Sequence, residues 1–136
     1  MDGNRVLLVD DEREFVELLA KRLRNRDMDI TCVYNGEDAL ETLREEEYGV
    51  VVLDVKMPGI DGITALKEIK NLRPDTEVLL LTGHATLDTA VEGLKFDAFD
   101  YLVKPIEIDS LVRKLKEAFD RRSGTGGCGQ WPIPPA

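Results

Sequence analysis

Five polar residues stand at the ends of four short apolar segments, where their side chains could bind phosphate or a metal ion. VLLV is followed by Asp10 and Asp11, VVVL by Asp54, VLLL by Thr82 and YLV by Lys104. The carboxyl ends of parallel strands share one edge of a sheet, and ligands bind in the crevice there. If these segments are strands of one parallel sheet, three carboxylates, one hydroxyl and one ammonium group meet at a single site.

This set of groups is suited to accepting a phosphoryl group. Three neighbouring carboxylates repel one another, and a fold tolerates them only with a compensating cation or with raised pKa values. Mg2+ meets that need, because it binds one or two carboxylates together with substrate phosphate. A carboxylate beside the ion can attack phosphorus to give an aspartyl phosphate, while a lysine neutralises charge. The residues therefore predict an acidic phosphoryl acceptor, assisted by Lys104 and by the hydroxyl of Thr82.

Short apolar runs alternate along the chain with segments of helical period. The runs are rich in Val, Ile and Leu, which is typical of strands buried on both faces of a parallel sheet. They are Val6–Val9, Ile30–Tyr34, Val50–Leu53, Val78–Leu81 and Phe99–Val103. Five strands, each followed by a helix, predict an α/β sheet covered on both faces, and right-handed crossovers leave few topologies.

The predicted helices are marked by apolar residues that recur at helical spacing. The five sets, in chain order, are Phe15, Leu18, Leu19 and Leu23; Ala39, Leu40 and Leu43; Ile63, Leu66 and Ile69; Leu87, Ala90, Val91 and Leu94; and Leu111, Val112, Leu115 and Phe119. Asn35 is the predicted N-cap of the second helix. We predict one domain over residues 1–122 and a flexible, Gly- and Pro-rich C-terminal tail over residues 123–136.

The composition indicates a globular protein and argues against several classes. Apolar residues make up 43% of the 136 residues, which is enough for one core. No apolar run approaches the roughly 20 residues that span a bilayer, and the N-terminus MDGNR shows no secretory signal. We therefore expect a cytoplasmic protein without membrane contact. The net charge of −9 argues against direct nucleic-acid binding.

The cysteines and the histidine do not add a second site. Cys32 lies in an apolar run and is predicted to be a small core residue. Cys128, in the tail, is predicted to be a free thiol, and two cysteines cannot form a zinc site. His84 cannot supply a metal triad alone, and we expect it to be a loop side chain over the site.

Four motifs resemble those of one family, the receiver domains of two-component response regulators. The resemblance covers about residues 4–120, with the motifs in the family's order. They are VLLVDDE at 6–12, VVVLDVKMPGIDG at 50–62, LLLTGHA at 79–85 and DYLVKP at 100–105. The Gly83-His84 pair resembles the corresponding residues in receivers of nitrogen-regulatory-type activators. The implied fold is a doubly wound (βα)5, flavodoxin-like three-layer sandwich with five parallel strands in the order 2-1-3-4-5.

The resemblance implies how the phosphoryl group is held. Asp54 would accept it from a sensor histidine kinase or a histidine phosphotransfer protein, which makes the domain a signalling module and not an enzyme. Lys104 would pair with the phosphoryl group and Thr82 would move toward it. Tyr101 matches an aromatic residue whose rotamer reports activation, and Lys104-Pro105 matches a cis peptide bond.

The resemblance also implies a set of Mg2+ ligands. Asp11 would bind the ion directly and Asp10 mainly through water. Asp54 and the backbone carbonyl of Lys56 would complete the protein's share of the ligands.

Phosphorylation adds charge and acceptor oxygens, so we expect the loops after the third and fourth strands to shift. The face made by the fourth helix, fifth strand and fifth helix would then engage an output domain or partner, or form a phosphorylation-dependent homodimer. Asp97 stands where the family often has Gly, and Asp tolerates the left-handed conformation that this turn needs.

Three alternatives remain open at the level of sequence. A haloacid-dehalogenase-type phosphatase also forms an aspartyl phosphate, but its D-x-D motif after the first strand is replaced here by Asp10-Asp11-Glu12. A degenerate interaction module would lack part of the acid, hydroxyl and lysine set. The third is a receiver that belongs to a longer regulator, with the tail as a linker.

Overall fold

Five parallel strands form one sheet in the computed structural model of the chain, which describes residues 5–57 and 59–127, with side chains through Arg121. The strand order is β2-β1-β3-β4-β5, which confirms the predicted topology. The strands are β1 (Arg5–Val9), β2 (Asp29–Val33), β3 (Val50–Asp54), β4 (Glu77–Thr82) and β5 (Asp100–Val103). Strand β2 therefore ends one residue before Tyr34, the predicted last residue of that run.

A helix follows each strand. The helices are α1 (Arg13–Arg24), α2 (Gly36–Glu45), α3 (Gly62–Leu72), α4 (Leu87–Gly93) and α5 (Ile108–Gly127). Short 3-10 helices flank α4 at His84–Thr86 and Leu94–Phe96. Among the described residues, we find no helix whose length and apolar content would let it cross a bilayer.

The sheet separates two apolar clusters, because alternate residues of each buried strand face opposite sides. One cluster packs α1 and α5 against Val6, Leu8, Val52, Leu79 and Leu81. The other packs α2, α3 and α4 against the alternate strand residues, such as Leu7, Val51, Leu53 and Leu80. These three layers hold the ends of the strands at fixed positions.

Side chains cap two helices that begin next to the carboxyl edge of the sheet. The predicted cap Asn35 is confirmed, since its side-chain oxygen accepts a hydrogen bond from the Asp38 backbone N–H at 2.7 Å. Asp61 caps α3 in the same way, accepting from the Thr64 N–H at 2.8 Å. Such caps satisfy backbone donors that a helix leaves unpaired in its first turn.

Three residues of the predicted apolar helix faces are exposed: Leu18 by 53%, Val91 by 44% and Leu94 by 40%. The buried residues of α1 are Val16, Leu19, Ala20 and Leu23. At 100° per residue, Leu18 lies roughly 200° around the helix from Val16 and points away from the core.

In α4 the buried residues are the small Ala90 and Gly93. A Cβ at Gly93 would lie 2.5 Å from Leu80 Cδ1, so this helix approaches the sheet too closely for larger residues. That close approach leaves the larger apolar residues of the segment on its outer side.

Other predictions on single residues had mixed outcomes. Cys32 is only half-buried, because β2 is an edge strand. Asp97 adopts the predicted left-handed conformation, with φ 73°, and the Lys104-Pro105 bond is cis as predicted. Helix α5 continues to Gly127, beyond the predicted domain boundary at residue 122, and Cys128 lies outside the described residues.

Candidate functional site

Strands β1 and β3 bring the three predicted carboxylates together. The two strands are neighbours in register, with Val9 beside Leu53, so Asp10 and Asp54 come next to each other at the same edge. Asp10 is 2% exposed and Asp54 5% exposed, while Asp11 lies on the surface. One oxygen from each carboxylate lies within 4.8 Å of the other two.

Strand β5 delivers the lysine. The Lys104 backbone N–H donates to the Thr82 carbonyl at 2.7 Å, which extends the pairing of β4 and β5 by one residue. The Lys104 ammonium donates to Asp10 Oδ2 at 3.1 Å and to Glu12 Oε1 at 3.2 Å, and it lies 3.7 Å from Asp54 Oδ1. It is therefore shared among three carboxylates.

These contacts change the pKa values of the acceptor and the lysine. Burial, and secondly the charge of Asp10, raise the pKa of Asp54 to about 7, although Lys104 opposes the shift. Burial alone would lower the pKa of Lys104, but its hydrogen bond to Asp10 and the charges of Asp10 and Asp54 outweigh burial and raise it. The site is thus short of positive charge at neutral pH, which is the condition under which a bound cation stabilises the fold.

The loop after β3 folds back over Asp54. The Lys56 backbone N–H points at Asp54 Oδ1 at 3.4 Å, and the Gly62 N–H donates to the Val55 carbonyl at 3.0 Å. A Cβ at Gly62 would lie 2.6 Å from Val55 Cα and 2.7 Å from the Val55 carbonyl oxygen. Only glycine permits this approach, which places the loop with Lys56 beside the acceptor.

Thr82 ends β4 and is completely buried, at 0% exposure. Its hydroxyl bonds to the Gly83 carbonyl at 3.0 Å and to the Thr86 hydroxyl at 2.6 Å. Thr82 therefore lies at the predicted edge of the sheet, but its hydroxyl bonds to residues that precede α4 and not to Asp54.

The remaining residues singled out by sequence lie around this edge. A pocket of about 610 Å³ opens over the acids, and Lys56, His84 and Lys104 are among its lining residues. His84 is exposed in the 3-10 helix before α4. Tyr101 is half-buried against the α2–α4 cluster. Its role as a rotamer switch stays a prediction.

Three neighbours of the site escaped the sequence analysis. Glu12 bonds Lys104, the Phe15 ring centroid lies 4.7 Å from Lys104 Nζ, and Thr86 bonds Thr82. Glu12 could have been suspected from the run of three acids after β1. Phe15 was predicted only as part of an apolar helix face. Thr86 lies just before the fourth predicted apolar set, which begins at Leu87, and no pattern marked it.

The donor set fits a hard divalent cation. Mg2+ binds oxygen at about 2.0–2.1 Å, so two oxygens on one ion are at most about 4.2 Å apart. The carboxylate oxygens of Asp10, Asp11 and Asp54 are already within 4.8 Å of one another. Their spacing is therefore close to what two ligands of a single ion require.

Comparison with known proteins agrees with this geometry. Residues 6–116 match the family described as response regulator receiver domain. The transcriptional regulatory protein ZraR of Salmonella typhimurium is 40% identical over 121 residues, which are 89% of this chain and 27% of that protein. The DNA-binding transcriptional regulator NtrC of Escherichia coli is 37% identical, over 87% of this chain and 25% of that protein. The chain thus spans about a quarter of the length of these relatives.

Solved structures agree as well. A receiver domain protein from Clostridium thermocellum superposes with a TM-score of 0.84 at 30% identity, over 88% of this chain and 96% of that one. The receiver domain of NtrX from Brucella abortus gives a TM-score of 0.81 at 29% identity, over 85% and 98% of the two chains. Fold, site geometry and sequence agree, and the chain belongs to the response regulator receiver domain family, with relatives among the NtrC-type activators.

Proposed function

We propose that this domain accepts a phosphoryl group on Asp54 from a phosphohistidine of a partner protein, with Mg2+ bound beside it. The observation that carries the proposal is the environment of one buried carboxylate. Asp54 is 5% exposed, shares its surroundings with Asp10 and Asp11, and has the Lys104 ammonium 3.7 Å away. That is the set of groups that phosphoryl transfer to a carboxylate requires.

In the proposed step an Asp54 carboxylate oxygen attacks phosphorus while the phosphorus–nitrogen bond to the donor imidazole breaks. The leaving nitrogen keeps the bonding electron pair. Asp54 must be ionised to act as the nucleophile, although burial and Asp10 raise its pKa to about 7. A cation at the acidic cluster would favour the ionised form, and for that reason the proposed reaction includes a metal.

We assign the metal to Asp10, Asp11, Asp54 and the backbone carbonyl of Lys56. The acids have the oxygen spacing described above, and Lys56 sits in the loop that Gly62 holds against Val55. When bound, Mg2+ would neutralise charge on the transferring phosphoryl group. The protein's own part is to hold the acids in register at the ends of β1 and β3.

Lys104 and Thr82 are assigned to the charge that arrives with the phosphoryl group. The ammonium of Lys104 already lies 3.7 Å from Asp54. Thr82 ends β4 beside β3, and we propose that its hydroxyl turns toward the phosphoryl group. A phosphoryl group brings about −1.5 to −2 charges and strong acceptor oxygens. We therefore propose that phosphorylation draws both side chains inward and changes the face formed by α4, β5 and α5.

The output of that change lies with a partner. The matched relatives are transcriptional regulatory proteins of which this chain corresponds to about a quarter. We propose a sensor histidine kinase or phosphotransfer protein as donor and an output domain or target protein as receiver of the signal. A phosphorylation-dependent homodimer through α4, β5 and α5 is one form that the output could take.

The test is phosphoryl uptake measured by intact mass. The protein is mixed with acetyl phosphate and Mg2+ beside Asp54→Asn and a matched variant, Asp61→Asn, whose amide can still cap α3. We expect one phosphoryl group on the parent and on Asp61→Asn, and none on Asp54→Asn. Equal uptake by Asp54→Asn, or no uptake by the parent from either acetyl phosphate or a phosphorylated histidine kinase, would overturn the proposal.

A second measurement tests the conformational part. Amide chemical shifts are compared with and without the phosphate mimic beryllofluoride and Mg2+. We expect changes over residues 82–105, which include α4 and β5. A spectrum that changes only within the loops at Asp10 and Asp54 would leave phosphoryl acceptance standing and rule out the switch.

A further inference from the structure

We propose that Thr86 is a positioning residue that holds the Thr82 hydroxyl on the α4 side until Asp54 is phosphorylated. The proposal rests on the function proposed above and names one further residue of the same site. Its starting point is the 2.6 Å contact between the two hydroxyl oxygens, which is the shorter of the two hydrogen bonds made by the Thr82 hydroxyl.

The two hydroxyls and one carbonyl form a closed group. Thr82 Oγ1 lies 3.0 Å and Thr86 Oγ1 3.4 Å from the Gly83 carbonyl oxygen. Each hydroxyl has one proton to donate. If Thr86 donates to Thr82, the Thr82 hydroxyl donates to the Gly83 carbonyl. If Thr82 donates to Thr86, the Thr86 hydroxyl donates to that carbonyl. Both hydroxyl protons are therefore hydrogen-bonded in either arrangement. A satisfied buried group resists rearrangement, because each broken bond leaves a polar atom unpaired.

Thr86 stands where its hydroxyl could cap α4, but the hydroxyl bonds to Thr82 instead. Thr86 is the N-cap residue of α4, where a threonine side chain commonly accepts a hydrogen bond from the first turn. In the described part of the chain it makes no such capping bond. Its hydroxyl is instead directed back toward the strand, to Thr82 and Gly83.

The backbone of Thr82 is fixed, so the hydroxyl can reach Asp54 only by turning its side chain. The Lys104 N–H donates to the Thr82 carbonyl at 2.7 Å, and the Val55 N–H donates to the Leu81 carbonyl at 2.9 Å. With strands bonded on both sides, the end of β4 cannot shift easily. Rotation between staggered positions is the remaining movement, and it must break the bond to Thr86.

The test compares Thr86→Val, which keeps the shape and removes the hydroxyl, with Thr86→Ser, which keeps the hydroxyl. Three-bond NMR couplings of Thr82 report its rotamer in the unphosphorylated, metal-free protein, and beryllofluoride with Mg2+ supplies the switched reference. In Thr86→Val we expect the ratio of switched to resting rotamer to rise roughly three- to tenfold, the effect of one net hydrogen bond. Thr86→Ser should match the parent.

A second arm separates positioning from a general effect on α4. Thr86→Val should change the amide shifts of residues 89–94 less in a Thr82→Val background than in the parent, because the partner hydroxyl is already gone. Thermal unfolding of each variant verifies that it is folded. An unchanged Thr82 rotamer in Thr86→Val, or equal shift changes of residues 89–94 in the parent and Thr82→Val backgrounds, would overturn the proposal.

The two proposals fail differently. The rotamer of Thr82 is measured without a phosphoryl group, so its dependence on Thr86 is decided even if Asp54 takes up no phosphate. Conversely, normal uptake by Thr86→Val with an unchanged rotamer would leave the proposed function intact and remove only the role of Thr86.

Discussion

Lys104 lies closer to Asp10 than to Asp54: its Nζ is 3.1 Å from Asp10 Oδ2 and 3.7 Å from Asp54 Oδ1. Asp10 is also a proposed metal ligand, so the lysine and a divalent cation compete for one carboxylate. Without metal, the lysine offsets part of the acidic charge itself. A cation bound at Asp10 would free the ammonium to move toward Asp54, where the charge of a transferred phosphoryl group would collect.

Replacing Lys104 by Met should therefore disturb the metal-free site. Because Lys104 lowers the pKa of Asp54, we expect that pKa to rise above its present value of about 7, as followed by 13C NMR of the carboxyl group. The free energy of unfolding at pH 7.5 should fall by about 2 kcal/mol, since the hydrogen bonds of Lys104 to charged carboxylates are lost. Saturating Mg2+ should recover part of the loss.

Lys114→Met is the matched control for that experiment. Lys114 pairs with Asp100 at 2.5 Å, and both side chains are about 30% exposed or slightly less. A partly exposed pair contributes less than about 1 kcal/mol. If Lys114→Met moves the Asp54 titration as much as Lys104→Met does, the effect is one of net charge and not of contact.

The raised pKa of Asp54 predicts a pH-dependent stability in the presence of a chelator. An unfolded Asp titrates near 3.9, so between about pH 4 and pH 7 the folded state binds more protons than the unfolded state. The free energy of unfolding should then decrease as pH rises through that window and level off above it. Asp54→Asn has no carboxylate to ionise inside the folded protein, so its free energy of unfolding at pH 8 should exceed that of the parent by about 2–4 kcal/mol.

Urea unfolding of both proteins at pH 4, 6 and 8 measures the difference. It should be near zero at pH 4 and largest at pH 8, and Mg2+ should shrink it by stabilising the ionised carboxylates. A difference that is constant with pH would mean that Asp54 titrates alike in the folded and unfolded protein.

Most of the fold and the location of the site followed from sequence, because both depend on patterns that local physics makes readable. Buried strands such as Val50–Asp54 appear as continuous apolar runs, and parallel pairing puts their polar last residues at one edge. The left-handed conformation of Asp97, with φ 73°, was anticipated from the resemblance, because Asp replaces a Gly of the family there and tolerates this conformation.

The contacts of the site could not be read in the same way. That Lys104 would prefer Asp10 and Glu12, or that Thr82 would bond Thr86, depends on side-chain rotamers and on where α4 begins. The exposure of Leu18 was missed because the buried face of α1 is centred on Val16, Leu19, Ala20 and Leu23. The exposure of Leu94 was missed because the close packing of Gly93 against Leu80 turns the small residues of α4 toward the sheet.

Gly62→Ala should destabilise the domain and displace the loop over the acceptor. The new Cβ would lie 2.6 Å from Val55 Cα, and backbone cannot give way as a flexible side chain does. Overpacking of this kind costs about 1–3 kcal/mol. Gly83→Ala is the control, since a Cβ there meets nothing within 4 Å, and its change in unfolding free energy should stay within about 0.5 kcal/mol. Equal effects of the two substitutions in urea unfolding would contradict the assigned close approach.

Mg2+ should raise the thermal stability of the parent protein and not that of Asp11→Asn. A ligand at tenfold its dissociation constant stabilises by about 1.4 kcal/mol, which corresponds to an increase in Tm of roughly 3–5 °C for a domain of this size. Asp10→Asn should reduce the increase, because it removes a buried carboxylate of the cluster and the first hydrogen-bond partner of Lys104.

Glu41→Gln removes one exposed negative charge from α2 and is the control for net charge. Calorimetric scans with Mg2+ and with chelator measure the increase for each protein. Loss of the increase in Glu41→Gln would point to diffuse cation binding, whereas its retention in both aspartate variants would place the metal elsewhere.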